Sequence, residues 1–416
     1  MSVDTRKHKS PRRRLGQWLP EEERALASFR RDLMTRAKKQ AAATPLAGVV
    51  AEFADFVGRD AVMRMNLTRA IEEAKSEGFE LGYANIDELI LVINHLLSYA
   101  PPFSDSSAII LPLNAVFEWP MCMPSGHAVF RDPAFNAHLK RILNTWCDFL
   151  SGPHSRTHLT ENEPNGWFCP TAAKRIGLED FICDPAQSFW GFSSWNDFFT
   201  RRLRPDARPV AEPASAKVVA NACEASAYSI KHDIRFQDDF WIKEQPYSLL
   251  EMFGGGRRNL ARRYVGGSVY QAYLSAYNYH RWHAPVSGVI VDQYLVDGTY
   301  YSDIEAEGED PKGLNDSQGY TTAVAARCVI VIQSDAPALG QVSCIFVGMA
   351  EVSSCVAETF IGQHIEKGEE IGYFQYGGST YCLLFEHDVI KDFVPRPPFD
   401  DAAPPLKVNS HLATAR

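Results

Sequence analysis

Two stretches of the chain hold residues whose types and spacing could make and break a bond. The first is Tyr376-Gly377-Gly378-Ser379-Thr380. Two glycines ahead of a serine give a backbone free to adopt φ > 0 and a close approach without Cβ clashes. In such a turn the serine hydroxyl can attack the carbonyl of the peptide bond just before it, provided a base removes the hydroxyl proton. A histidine oriented by a carboxylate is the usual device. Tyr279-His280-Arg281-Trp282-His283-Ala284-Pro285 offers two histidines three apart. Either pattern alone is weak, because most Gly-Gly-Ser runs are plain turns and a histidine in a β core is often only structural. Their occurrence in this order, within one β-rich region, is what makes them candidates.

Other patterns carry less. His154 and His158, followed by Glu161, have the spacing of ligands on one helix face, but Pro153, Pro164 and Gly166 argue for a surface loop. Gly254-Gly255-Gly256-Arg257-Arg258 lacks the strand–loop–helix context of a phosphate cradle and reads as a hairpin loop. Pro124-Ser125-Gly126-His127 could assist phosphoryl transfer, yet Ser155-Arg156 is followed by His158 too soon for the Arg…His pair that chemistry needs, and no membrane helix is expected. Lys367, between Glu366 and Gly368, reads as a solvated turn rather than the modified lysine of a carrier module.

Three separated motifs carry a family resemblance. Trp195-Asn196-Asp197-Phe198-Phe199-Thr200-Arg201-Arg202-Leu203-Arg204-Pro205 with Ala207-Arg208-Pro209 comes first, then Tyr279–Pro285 with Gly288. Val347-Gly348-Met349, Gly362 through Gly368, Glu370–Phe374 and Gly377–Thr380 follow. In this order, from about Trp195 to Val389, the chain resembles the phosphatidylserine decarboxylase family of pyruvoyl-dependent enzymes. The resemblance implies a self-processing proenzyme cut between Gly378 and Ser379, with Ser379 becoming a pyruvoyl group. It implies His283 as the base that activates Ser379, held by an acidic partner, and His280 as a group acting near the substrate. The implied cofactor is the covalent pyruvoyl itself: its ketone condenses with a substrate amine and its amide carbonyl accepts the electrons released with CO2. No metal is expected.

The chain departs from that family twice. The acidic partner normally lies in a Pro-x-Asp-Gly element, and here the matching segment is Ala220-Asn221-Ala222-Cys223-Glu224-Ala225-Ser226, so the role is carried to Glu224. Lipid-acting members usually have a membrane-anchoring or apolar surface segment ahead of the catalytic part, whereas this chain has a long helical one. That feature, with Ala-Cys-Glu and Tyr-His-Arg-Trp-His-Ala-Pro, resembles the fungal tryptophan decarboxylase branch. The substrate it implies is a small molecule, a free L-amino acid such as L-tryptophan or another aromatic; the alternative is phosphatidylserine. Trp282, Phe374 and Tyr376 could stack on an indole or serve as core.

The elements that must position these residues divide the chain. Apolar residues recur at helical spacing over 21–41, 46–57, 60–76, 86–99 and 135–150, the last with the stripe Phe135, Leu139, Ile142, Leu143, Trp146 and Leu150. From Lys217 onward the period changes to short β-branched and aromatic runs such as GSVYQAYL, CVIVIQ, QVSCIFVGM and TYCLLFE. The expectation is an α+β chain. It has a disordered basic tail over 1–17, a helical domain over 18–180, and a mostly antiparallel β-rich catalytic domain over 181–416 with barrel- or sandwich-like packing. Residues 1–40 hold 12 Lys+Arg against 5 Asp+Glu in a chain of net charge −9, so the other 376 residues sum to −16. An acidic body argues against nucleic acid as a partner. Apolar runs are too short for a membrane span, and no signal peptide is evident. Nine scattered cysteines without a Cys-x-x-Cys pair suggest a reducing compartment, hence a cytoplasmic enzyme. The family resemblance implies a homo-oligomer of processed α/β protomers.

Overall fold

A computed structural model describes residues 23–104, 110–237, 247–302, 318–351, 354–399 and 403–416. The expected tail over 1–17 lies outside the described residues, as does most of the run FQDDFWI. Seven helices come first: α1 (Glu23–Ala41), α2 (Gly48–Arg59), α3 (Ala61–Ser76), α4 (Ile86–Leu96), α5 (Pro112–Cys122), α6 (Pro124–Arg131) and α7 (Pro133–Leu150). Side-chain caps start three of them. Asp60, Asn85 and Asp132 accept from the backbone N–H groups of Met63, Glu88 and Phe135, which satisfies donors that an open helix end leaves orphaned. Every member of the α7 stripe is buried, and each large apolar side chain so placed is worth roughly 1.5–3 kcal/mol.

Helices α5 and α6 were not legible as helices. All eleven residues of α5 are buried and Pro120 sits inside it, so it has no polar face to create a period. Gly126 explains the Pro-Ser-Gly-His motif in packing terms. A Cβ there would lie 1.7 Å from the Pro120 carbonyl oxygen, so only glycine lets α6 turn back against α5. Ser125 donates from its backbone and hydroxyl to Glu73.

Thirteen strands follow, among the described residues. They are β1 (Val218–Ala220), β2 (Ser226–His232), β3 (Ser268–Leu274), β4 (Arg281–His283), β5 (Gly288–Val296), β6 (Arg327–Ser334), β7 (Gln341–Gly348), β8 (Ser354–Ala357), β9 (His364–Ile365), β10 (Glu370–Gln375), β11 (Ser379–Phe385), β12 (Ile390–Phe393) and β13 (His411–Ala415). The main sheet has the order β2-β3-β11-β7-β6-β5-β9, with β4-β10-β8 and β1-β13-β12 as smaller sheets. Strand pairing is antiparallel throughout these sheets. The architecture is α+β, with helices first and sheets after.

The main sheet is buried on both faces, which is why its central strands read as continuous apolar runs. Val329, Val331, Ile345, Val347, Cys382 and Leu384 face the core they share with the helices. Ile330, Cys344, Phe346, Tyr381 and Leu383 face the other core, shared with Trp282, Ile371 and Phe374 of the smaller β4-β10-β8 sheet. The result is three layers: helices, main sheet, small sheets. Strand β11 lies in the middle of this stack, paired along its whole length with β3 and β7.

Candidate active site

Strand β10 ends at Gln375 and β11 begins at Ser379, so Tyr376-Gly377-Gly378 must turn the chain between two sheets. Gly377 does so at φ 134, a conformation that L side chains rarely adopt. The Gly378 peptide is gripped at both ends by the loop that follows β7. Its N–H donates to the Ala350 carbonyl (3.0 Å), and its own carbonyl accepts from the Met349 N–H (2.9 Å). Ser379 is fully buried and its Oγ has no hydrogen-bond partner. An orphaned buried hydroxyl costs roughly 1–3 kcal/mol, so its retention needs a reason. Attack of that hydroxyl on the Gly378 carbonyl would place negative charge on the oxygen that Met349 already contacts, the arrangement of an oxyanion donor.

Side-chain alternation puts Ser379 on the same face as Tyr381 and Leu383, toward the small sheet that holds β4, whose Trp282 lies in the same core. His283 is nine-tenths buried, with Nδ1 2.7 Å from the Gly368 carbonyl and Nε2 2.8 Å from the Tyr279 hydroxyl. A carbonyl can only accept, so Nδ1 carries the proton and Nε2 accepts from Tyr279. Burial is the main reason that its pKa lies below the ordinary 6.5. The ring is therefore a neutral base with its lone pair covered by one phenol.

His280 is fully buried and stacks on Phe199, ring centres 4.0 Å apart. Neither ring nitrogen has a hydrogen-bond partner. Burial, and then the Arg201 charge, hold its pKa well below 6.5, against the opposing pull of the nearby Asn278 carbonyl. Neither histidine is hydrogen-bonded to Ser379.

The expected contact between Glu224 and His283 is not formed. The Glu224 carboxylate is taken by Arg208, with Nε to Oε2 at 2.7 Å and Nη2 to Oε1 at 3.0 Å, while Arg208 also reaches Asp180 at 2.6 Å. A two-pronged guanidinium satisfies a carboxylate better than one imidazole N–H, and both nitrogens of His283 are already engaged. Glu224 instead touches the neighbouring turn. Its backbone carbonyl accepts from the Asn278 side chain (3.1 Å), and its charge helps burial raise the Tyr279 pKa.

The Trp195–Pro209 motif contributes positioning groups. Phe199 lies between His280 and Tyr376, touching both rings. Arg201, almost fully buried, donates to the Tyr277 and Asn278 carbonyls at 2.7 and 3.0 Å and so fixes the turn that leads into His280. Arg281 donates to the Thr200 carbonyl (2.7 Å) and pairs with Glu358 and Glu370. Sequence reasoning missed Tyr279, Arg201 and the Met349–Ala350 grip. Tyr279 and Arg201 sat inside quoted motifs as flanking residues, and their only signal was that a polar residue must earn its place in a buried segment. The backbone grip has no side-chain signature.

The aromatic candidates for stacking are core residues. Trp282 lies flat on Phe346 at 3.9 Å, Phe374 packs edge-on against Trp282, and Tyr376 packs against Trp195. Lys367 is buried, not solvated, and its Nζ donates to the carbonyls of Glu212, Ser215 and Val218. That threefold anchorage leaves it no role as a carrier lysine.

Comparison with known proteins shows the family. The phosphatidylserine decarboxylase family matches residues 195–397, and a second phosphatidylserine decarboxylase family matches the helical residues 47–176. The chain is 37% identical over 294 residues to decarboxylase iboD of Amanita muscaria, covering 66% of this chain and 83% of that one. It is 28% identical over 424 residues to the L-tryptophan decarboxylase of Psilocybe cubensis, 96% of this chain and 94% of the other. A phosphatidylserine decarboxylase proenzyme of Chlamydia trachomatis is 31% identical over 229 residues, 53% of this chain and 71% of its own. The second match extends the likeness to the helices, beyond the span that the sequence motifs covered. The chain belongs to the phosphatidylserine decarboxylase family and is a decarboxylase, a carboxy-lyase.

Proposed function

We propose that the protein is a self-processing, pyruvoyl-dependent decarboxylase of a free aromatic L-amino acid, L-tryptophan or a close relative. The observation that carries the processing step is the partnerless Ser379 hydroxyl beside a Gly378 carbonyl gripped at both ends. These residues fit a pyruvoyl precursor: a buried serine follows a glycine turn, and a backbone donor already sits on the carbonyl to be attacked. Ser379 Oγ adds to the Gly378 carbonyl carbon while His283 takes the hydroxyl proton. The peptide C–N bond then breaks and the residue-379 nitrogen takes a proton, leaving an ester. Loss of the Ser379 Cα proton expels Oγ with the Gly378 carboxylate. The resulting enamine tautomerises, takes up water and releases ammonia. Two chains result, 1–378 and 379–416, the second beginning with a ketone.

That ketone supplies an electrophile for the substrate amine and a sink for the electrons freed as CO2 departs. The chain's own residues do the rest. His280, buried and stacked on Phe199, would hold or move a proton near the reacting carbon. Glu224 serves at one remove, by fixing Arg208 and the turn through Asn278. A small pocket lined by Asn114, Thr299, Tyr301, Thr321, Met349 and Ala350 lies against the grip loop. A small substrate is supported by relatives named L-tryptophan decarboxylase that match 96–97% of the chain, helical part included. We further place the enzyme in the cytoplasm as a homo-oligomer of processed protomers with units 18–180 and 181–416. Among the described residues no helix is long and apolar enough to cross a membrane.

Intact mass under denaturing conditions tests processing. A fragment of residues 379–416, blocked to Edman chemistry, is expected, and a single full-length species in active protein overturns the reading. CO2 release from L-tryptophan, other amino acids and phosphatidylserine then tests the substrate. Release from the lipid alone selects the alternative.

A further inference from the structure

The pairing of β11 with β7 ends at Ser379 opposite Gly348, so the Gly378–Ser379 peptide lies where the sheet ladder stops fixing the backbone. Beyond it the grip loop takes over, and that loop is strained. Ala350 and Glu351 both have left-handed φ, 36° and 73°, which non-glycine residues avoid. Such a conformation persists only where its surroundings impose it. Ala350 is tied through its N–H to the Tyr300 carbonyl (3.1 Å) and through its carbonyl to the Gly378 N–H (3.0 Å). Glu351 is tied by its side chain. Almost fully buried, it accepts through Oε1 from the backbone N–H groups of Leu113 and Asn114, the latter at 2.9 Å. Those donors belong to the first turn of α5, so a carboxylate from the β region caps the most buried helix of the helical region.

We infer that Glu351 is a positioning residue for self-cleavage, holding the strained grip loop against α5 so that the helical region must be docked before the peptide bond can be cut. Without this anchor the loop relaxes toward negative φ. The Met349 N–H and Ala350 carbonyl then leave the Gly378 peptide, whose carbonyl is no longer presented to Ser379 Oγ. The inference rests on the proposed cleavage between Gly378 and Ser379. It explains why a buried carboxyl, whose pKa burial pushes well above the usual carboxylate range in spite of two backbone donors, is placed beside that bond.

The test is a time course of processing, read by intact mass on freshly synthesised full-length protein, with near-UV circular dichroism to establish folding. Glu351→Gln keeps the acceptor oxygen and is expected to process within about threefold of wild type. Glu351→Ala and Glu351→Gly are expected to fold yet process at least about tenfold more slowly, the glycine showing that loss of the anchor, not added φ strain, is responsible. Asp132→Ala, which uncaps α7 without touching the loop, is expected to process at the wild-type rate. Wild-type rates in Glu351→Ala or Glu351→Gly, or equal slowing in Asp132→Ala, overturn the inference. If neither truncation folds, Glu351→Asp decides: slow cleavage in folded protein supports the anchor and a wild-type rate refutes it. An uncut wild type refutes the cleavage reading itself.

Discussion

Ser379, His283 and Tyr279 form the part of the site where single atoms decide the outcome. Ser379→Ala is expected to remain one uncut, inactive chain by denaturing mass analysis. His283→Ala is expected to stall or slow processing, and normal cleavage in that variant would remove His283 from the base role. The pH dependence follows from what covers the ring. Because burial holds the His283 pKa below 6.5, the neutral base dominates above that value, and processing should fall only as pH drops further. The stability contribution has the same sign: present above 6.5 and lost as the pH falls through the folded pKa. In Tyr279→Phe the lone pair loses its donor, the pKa rises, and the acid limb of the processing profile should move to higher pH. An unmoved limb would mean that Tyr279 does not set the basicity of His283. At this scale the sequence revealed which residues bear chemistry, since Gly-Gly-Ser and His-x-x-His need particular residue types. It could not reveal who partners whom. Glu224 was assigned to an imidazole because a carboxylate stood at the matching place, and the competing Arg208, sixteen residues upstream, has no spacing rule that points to it.

Helices and strands place those atoms by packing, and their variants should report it. Phe199 carries no reactive group but separates His280 from Tyr376, so Phe199→Ala should cost about 3–5 kcal/mol. The expected result is a lower melting temperature together with slower processing, because the cavity frees both rings. Gly126→Ala should destabilise through a different route, by forcing α6 off α5 where backbone meets side chain. Thermal melts measure both. Amphipathic helices such as α7 and half-periodic strands were readable because one side faces a core and the other water. Helix α5 was not, because it is buried all round, and the same absence of contrast hides its docking to the β region. The two-part division of the chain was visible as a change of period. Less visible was that one continuous core joins the helices to the main sheet, since a shared core leaves no mark on composition.

Across the whole molecule the cut would fall at the start of β11, an interior strand of the main sheet. Residues 379–416 hold β11, locked between β3 and β7, and β12 and β13, the latter bonded to β1. Processed protein is therefore expected to elute as one particle in native size exclusion and to separate into two chains only in denaturant. Early loss of the short chain under native conditions would contradict this placement. A strand threaded through the middle of a sheet also gives maturation a direction. The intact precursor can unfold and refold as one polymer, but the cut pair would have to find each other in solution and reinsert an interior strand. The proposed ketone would moreover arise from a peptide bond that the two pieces no longer share, so mixing separately made fragments would never generate it. Maturation of this kind would work as a ratchet: each molecule would acquire its reactive group once, after folding, and a thermal excursion that a precursor survives should permanently retire its mature form.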